Sequence, residues 1–202
     1  MKLVLVRHGQ TDSNVGKKYC GQTDTGLNDT GREQAAAAAQ WLCAKLGGKF
    51  DTMHSSHLTR AYETARIIAG RFGAEESSIV IAKELAEANF GVMEDMSYEE
   101  IMEKHPGEYL AWAADWVNYV IKDGESSIMV YDRVSGFFKN FLETHDCGTH
   151  IFVMHMGTIA HAVSFLLEFG VEAYWRFSVD NAGAVIIRVN REKFSSLITL
   201  NI

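Results

Sequence analysis

An arginine and a histidine side by side at the end of an apolar run suggest an anion site with a nucleophile or base inside it. Leu3, Val4, Leu5 and Val6 are followed at once by Arg7, His8 and Gly9. A guanidinium is always charged and offers paired planar donors to an oxyanion. An imidazole changes charge near neutral pH. A second apolar run, Ile151 to Met154, ends the same way in His155, with Met156, Gly157 and Thr158 behind it. A third, weaker run, Phe50 to Met53, leads into His54, Ser55, Ser56, His57, Leu58, Thr59 and Arg60. Arg60 then falls in the first turns of a helix, where the dipole disfavours a cation and a bound anion would relieve the conflict.

These residues need a frame. Four consecutive apolar residues suit a strand buried on both faces. Open α/β sheets bind ligands at the carboxyl edge of their strands. If the first two strands are parallel and close, both imidazoles converge there. A capping box at Thr30 to Glu33 reads as the start of a helix that closes near Gly47 and Gly48. A helix is expected from Thr59 to Arg71 and a short strand at Ile79 to Ile81. Ser97 to Glu100 is another capping box, for a helix ending before Pro106. An aromatic helix should follow, carrying Tyr109, Trp112, Trp116 and Tyr119, with the two tryptophans either packed at i, i+4 or one of them lining the mouth of the site. Helices from Ser126 to Glu143 and from Thr158 to Phe169 come next. Ala184 to Val189 and Phe194 to Leu200 are expected as closing strands. The order predicts an α/β fold, a three-layer α/β/α sandwich with a mostly parallel central sheet.

Length and composition agree. A chain of 202 residues, 47% of them hydrophobic, can bury one sizeable core. A net charge of −7, from 19 basic and 26 acidic residues, argues against nucleic acid or an anionic membrane as the main partner. No 18-residue apolar stretch or signal-peptide pattern is present. Three widely spaced cysteines, Cys20, Cys43 and Cys147, fit a reduced cytoplasmic chain. His54, His57, His105, His145, His150 and His161 read as surface or supporting positions. No cysteine pair or carboxylate triad completes a metal site, so neither metal nor cofactor is expected.

Taken in order, several segments resemble the histidine phosphatase superfamily, branch 1, with its phosphoglycerate-mutase-like fold. They are Arg7, His8 and Gly9 with Thr11 and Asn14; Gly26 to Arg32; Ser55 to Ala61; Glu87 to Gly91; Gly124 to Ser126; and Met154 to Gly157. The resemblance covers nearly the whole chain. It implies a single domain over 1–202, with a lid-like helical excursion at about 86–124. It implies a phosphatase acting on a small phosphomonoester, such as α-ribazole phosphate or a sugar or glycerate phosphate, and releasing inorganic phosphate. His8 would be the nucleophile, its other nitrogen held by a backbone carbonyl at Gly9 or nearby. Glu87 would be the general acid, with Glu84 and Glu94 as rivals, and His155 would steady the transferring group. Arg7, Asn14, Arg60 and the backbone of Met156 or Gly157 would bind phosphate. Cys20 and Gly21 are carried over as substrate-binding positions. A homodimer stays open.

Two alternatives stand against a phosphatase. A phosphoglycerate mutase would be longer and would carry Glu-Arg-His-Tyr at the acid position, where this chain has Glu87, Ala88, Asn89 and Phe90. A catalytically silent binding module should have lost His8, His155 or Glu87, and all three are present.

Overall fold

The computed structural model describes residues 1–201. Six strands form one sheet in the order β3-β2-β4-β1-β5-β6. They are β1 (Lys2–Arg7), β2 (Thr52–Ser55), β3 (Ile79–Ile81), β4 (Thr149–Met154), β5 (Ala184–Val189) and β6 (Ser195–Leu200). The pairs β1/β4, β2/β4 and β2/β3 are parallel, and β1/β5 and β5/β6 are antiparallel. The closing hairpin therefore adds an antiparallel edge to a parallel centre.

The sheet is covered on both faces because each central strand is apolar throughout. Leu3 and Leu5 of β1 face one side, packed with Phe138 of α6 (Ser127–Thr144) and Ile159 of α7 (Met156–Leu166). Val4 and Val6 face the other, against Leu42 of α2 (Asp29–Leu46) and Ile68 of α3 (Thr59–Arg71). None of the four β1 side chains is exposed. Burying such a side chain fully contributes about 1.5–3 kcal/mol, so β1 is anchored from both layers. The segment between β3 and α6 has a small core of its own, Met93, Ile101 and Ile121, beneath α4 (Tyr98–Lys104) and α5 (Pro106–Ala114).

Several boundaries differ from the sequence reading. Helix α2 starts at Asp29 and is capped by Asn28, whose Oδ1 accepts the Gly31 N–H at 2.8 Å, so an earlier cap outcompetes Thr30. Helix α7 starts at Met156 rather than Thr158, with His155 at its cap. Helix α5 stops at Ala114 because Asp115 Oδ1 accepts from the backbone and side chain of Asn118. Trp116 and Tyr119 are thus off the helix, and the expected i, i+4 tryptophan pair does not exist. Strand β6 begins one residue late, since the Phe194 N–H is bound by Asn190 in the turn. A short α1 (Asp12–Val15), capped by Thr11 and Asn14, was not anticipated.

The loop after β1 lies hard against α2. A Cβ on Gly9 would strike the Gly31 carbonyl, and a Cβ on Gly31 would strike the Gln10 backbone. Gly31→Ala should therefore cost about 1–3 kcal/mol through overpacking, at roughly 2–4 °C of Tm per kcal/mol for a chain of this size. Calorimetry measures it; an unchanged Tm would mean that the loop yields without cost.

Candidate active site

The β1/β4 ladder sets Arg7 opposite Met154, and the His8 N–H then donates to the Met154 carbonyl at 3.0 Å. His8 and His155 follow their strands directly, so their rings meet edge to face with centroids 5.1 Å apart. Both are buried. The His8 ring meets the Gly9 carbonyl through Nδ1 at 2.7 Å, as expected. A carbonyl only accepts, so Nδ1 carries the proton and Nε2 keeps its lone pair. The loop is held from below: the Gly9 N–H donates to Thr64 Oγ1 at 3.0 Å, and that hydroxyl donates to the Arg60 carbonyl at 2.8 Å.

His155 has a different arrangement. Its Nε2 lies 2.9 Å from Ser56 Oγ, which already accepts the Leu58 N–H. The Ser56 hydroxyl can donate to Nε2, and in that tautomer Nδ1 bears the imidazole's own hydrogen. Nδ1 is buried without a partner among the described residues. A buried unsatisfied donor costs about 1–3 kcal/mol, and an oxyanion beside it would remove that cost.

Burial, and then the charges of Arg60 and Arg7, hold His8 well below the usual 6.5. The same burial, with Arg60, His8 and Arg7 behind it, lowers His155. Both rings are neutral at pH 7.

The two arginines differ. Arg7 Nη1 donates to the Val179 carbonyl at 2.7 Å, while its Nε is buried with no partner among the described residues. Arg7 lines a cleft of about 440 Å³ with His8, Asn14, Glu87 and Met156. Arg60 was expected in that cleft. It is 1% exposed, and its two Nη groups donate to the carbonyls of Cys20, Gly21 and Thr23. These carbonyls, not an anion, resolve the conflict with the α3 dipole, and Arg60 reaches the imidazoles through its field. Gly21 is likewise buried and committed: its N–H goes to Glu94 and its carbonyl takes Arg60. Cys20 does line the cleft.

Asn14 Oδ1 accepts from the Thr11 N–H at 3.0 Å and from Asn181 Nδ2 at 3.1 Å. That fixes the amide and leaves its Nδ2 for an anion. The Gly157 N–H, one of two expected phosphate donors, instead holds Glu87 Oε2 at 3.0 Å. Glu87 Oε1 accepts the Ala88 N–H at 2.9 Å. A Cβ on Gly157 would collide with Glu87 Oε1, so a larger residue there would push the carboxylate aside. The rivals are placed elsewhere. Glu84 is exposed, and Glu94 accepts from the backbones of Gly21, Gln22, Thr23 and Phe90 and from the Thr23 hydroxyl.

Sequence reasoning missed Asn181, Ser56, Thr64 and Tyr174. Tyr174 is half-buried beside Glu87, and desolvation, then that charge, raises its phenol. Asn181, Thr64 and Tyr174 lie in no chain-local motif, although Thr64, four residues after Arg60, shares its helix face; Ser56 lies in the Ser55 to Ala61 segment, but its contact with His155 spans two strands. Beyond Glu87 an apolar cleft is walled by Phe90, Trp112, Trp116, Tyr174 and Trp175. Of the histidines expected at surface or supporting positions, three are not at the surface. His150 and His161 are 2% exposed, and His54 packs among Phe137, Phe141 and Phe152.

Residues 3–201 match the model of the histidine phosphatase superfamily (branch 1). Phosphoserine phosphatase 1 of Hydrogenobacter thermophilus is 32% identical, covering 100% of this chain and 92% of that protein. The adenosylcobalamin/alpha-ribazole phosphatase of Escherichia coli K12 is also 32% identical, at 100% and 96% coverage. Among solved structures, a putative alpha-ribazole-5'-P phosphatase from E. coli K-12 superposes with a TM-score of 0.91 at 31% identity, covering 100% of this chain and 96% of that one. The mycobacterial glucosyl-3-phosphoglycerate phosphatase with VO3 gives 0.85 at 29% identity, with 99% and 98% covered. The chain belongs to the histidine phosphatase superfamily, branch 1. It is a hydrolase of phosphomonoesters.

The depressed imidazoles have a consequence for stability. Unfolded, they titrate near 6.5; folded, they resist protonation to much lower pH. The stability they confer is complete above pH 6.5 and is lost as pH falls below it, because the unfolded chain then binds more protons. In His155→Gln, Tm should fall less steeply between pH 6.5 and 5 than in the parent. Parallel slopes would remove His155 from this account.

Proposed function

We propose that His8 Nε2 attacks the phosphorus of a small phosphomonoester, forming a phosphohistidine that water then cleaves. One observation carries this reading: the Nδ1 bond to Gly9 aims a neutral Nε2 into the cleft that Arg7, Asn14 and Met156 line. A neutral imidazole is the nucleophilic form. Arg7, Asn14 Nδ2 and the first-turn N–H of Met156 bind the phosphate oxygens. His155 Nδ1 donates to an equatorial oxygen as the phosphoryl group flattens. Arg60 adds positive charge from behind. Glu87 protonates the departing alkoxide and in the second step takes a proton from water.

The segment at about 86–124 serves as a cover over the cleft: it carries Glu87 and Phe90 and has its own small core. The whole chain acts as one domain. The relatives' names point to a small organic phosphate as substrate, and the three free cysteines are in keeping with the cytoplasm. Among the described residues, no helix is long and apolar enough to cross a membrane.

His8→Ala should abolish turnover, and rapid quench of the parent enzyme should trap an acid-labile, base-stable phosphoenzyme on His8. Label mapped to a serine or aspartate would end the proposal. Glu87→Gln should slow hydrolysis of an alkyl phosphate by about 10²–10⁴-fold, the usual size of general-acid help. Formation of the phosphoenzyme from p-nitrophenyl phosphate, whose leaving group departs without a proton, should change far less. Equal rates for parent and Glu87→Gln on the alkyl ester would assign the acid elsewhere.

A further inference from the structure

We infer that Arg133 and Glu125 are a positioning pair that holds Glu87 in line with the leaving-group oxygen. The inference rests on the reading of Glu87 as general acid. Arg133 lies two turns into α6, and its side chain and that of Glu125 are each 21% exposed. Arg133 Nη1 donates to the carbonyls of Glu84 and Ala86 at 2.7 and 2.8 Å, and Nη2 to that of Glu87 at 3.5 Å. Nη2 and Nε also donate to Glu125 Oε2 and Oε1, at 3.0 and 3.3 Å. Glu125 grips the other end of the segment. Its Oε2 accepts the Asn89 N–H at 2.9 Å, and its own N–H donates to the Asn89 carbonyl at 2.9 Å.

The acid's backbone is thus tied just before Glu87 to Arg133, within α6, and just after it to Glu125, ahead of that helix. It needs those ties. A single 3-10 turn, Lys83–Leu85, precedes Glu87, and the next begins at Gly91. Between them no helix or strand fixes the chain. The Glu87 carboxylate has two backbone donors, and only the Gly157 N–H comes from the catalytic edge of the sheet. A small drift of the 84–89 segment would therefore separate the acid from the reacting oxygen while His8 and Arg7 stay in place. A misplacement of about 1 Å can cost on the order of 10²-fold. The planar guanidinium can serve three carbonyls and a carboxylate together; an ammonium group cannot cover the same set.

The test is the single-turnover rate of phosphoenzyme formation, measured by rapid quench with an alkyl phosphate and with p-nitrophenyl phosphate. The variants are Arg133→Met, Arg133→Lys, Glu125→Gln, Glu87→Gln and the double variant Arg133→Met with Glu87→Gln. Arg133→Met should slow the alkyl ester by roughly 10–10²-fold and p-nitrophenyl phosphate by less than about threefold. Arg133→Lys should recover part of the loss. In the Glu87→Gln background, Arg133→Met should add little further loss, because residues that act through one step are not additive. Equal slowing of both esters, or fully multiplied losses in the double variant, would place the effect of Arg133 outside the acid and overturn the inference. If Arg133→Met does not fold, Glu125→Gln must show the same split between esters in smaller measure, and its absence is equally fatal. Should Glu87→Gln show the split and neither partner variant do so, the positioning pair alone falls. Should Glu87→Gln show none, the acid assignment falls and takes the pair with it.

Discussion

The site depends on the register of one parallel ladder. Strands β1 and β4 end level, so two loops leave the sheet side by side and each opens with a histidine. A slip of one residue would shift one strand end by about 3.3 Å along its axis. It would also reverse which face each side chain meets. Because both strands are buried on both faces, packing from two layers and the His8 N–H bond to Met154 hold the ends in place.

A second constraint is electrostatic. Arg60 is a buried cation next to two imidazoles that must stay neutral. Such a charge is tolerable only when its donors are met, and the 20–23 loop meets them with three carbonyls. The same loop turns its amides to Glu94, so a short stretch of backbone lies between a buried cation and a carboxylate of the cover segment. Glu94 also accepts the Phe90 N–H, and Gln22 Nε2 donates to the Glu87 carbonyl at 2.7 Å. The loop that satisfies the Arg60 donors therefore also fixes the stretch carrying Glu87.

Much of this was legible in the sequence, and for physical reasons. Arg7, His8 and His155 stand directly after strongly apolar strands, and a strand's end fixes where the next residue goes. The Gly9 carbonyl beside His8 is local geometry, one residue away. The six-strand order and the antiparallel hairpin needed pairing information that no single run of residues contains. Arg60 was read from the dipole of its own helix, and the carbonyls that satisfy it come from about 40 positions earlier in the chain. Asn181 reaches the His8 carbonyl across 173 residues, and Ser56 reaches the His155 ring across 99. The aromatic segment failed locally: Asp115 caps a turn within what alternating apolar residues make look like one helix.

Aromatic residues beside Glu87 have an optical side as well. Of four tryptophans, Trp112, Trp116 and Trp175 line the cleft that includes Glu87. Trp41 is on the opposite layer, under the ammonium of Lys45. Indole emission shifts in colour and intensity with local polarity and with quenchers nearby. Three of the four indoles therefore report on the surroundings of Glu87. Removing Trp41 would leave an unlabelled spectrum that reads out those surroundings alone.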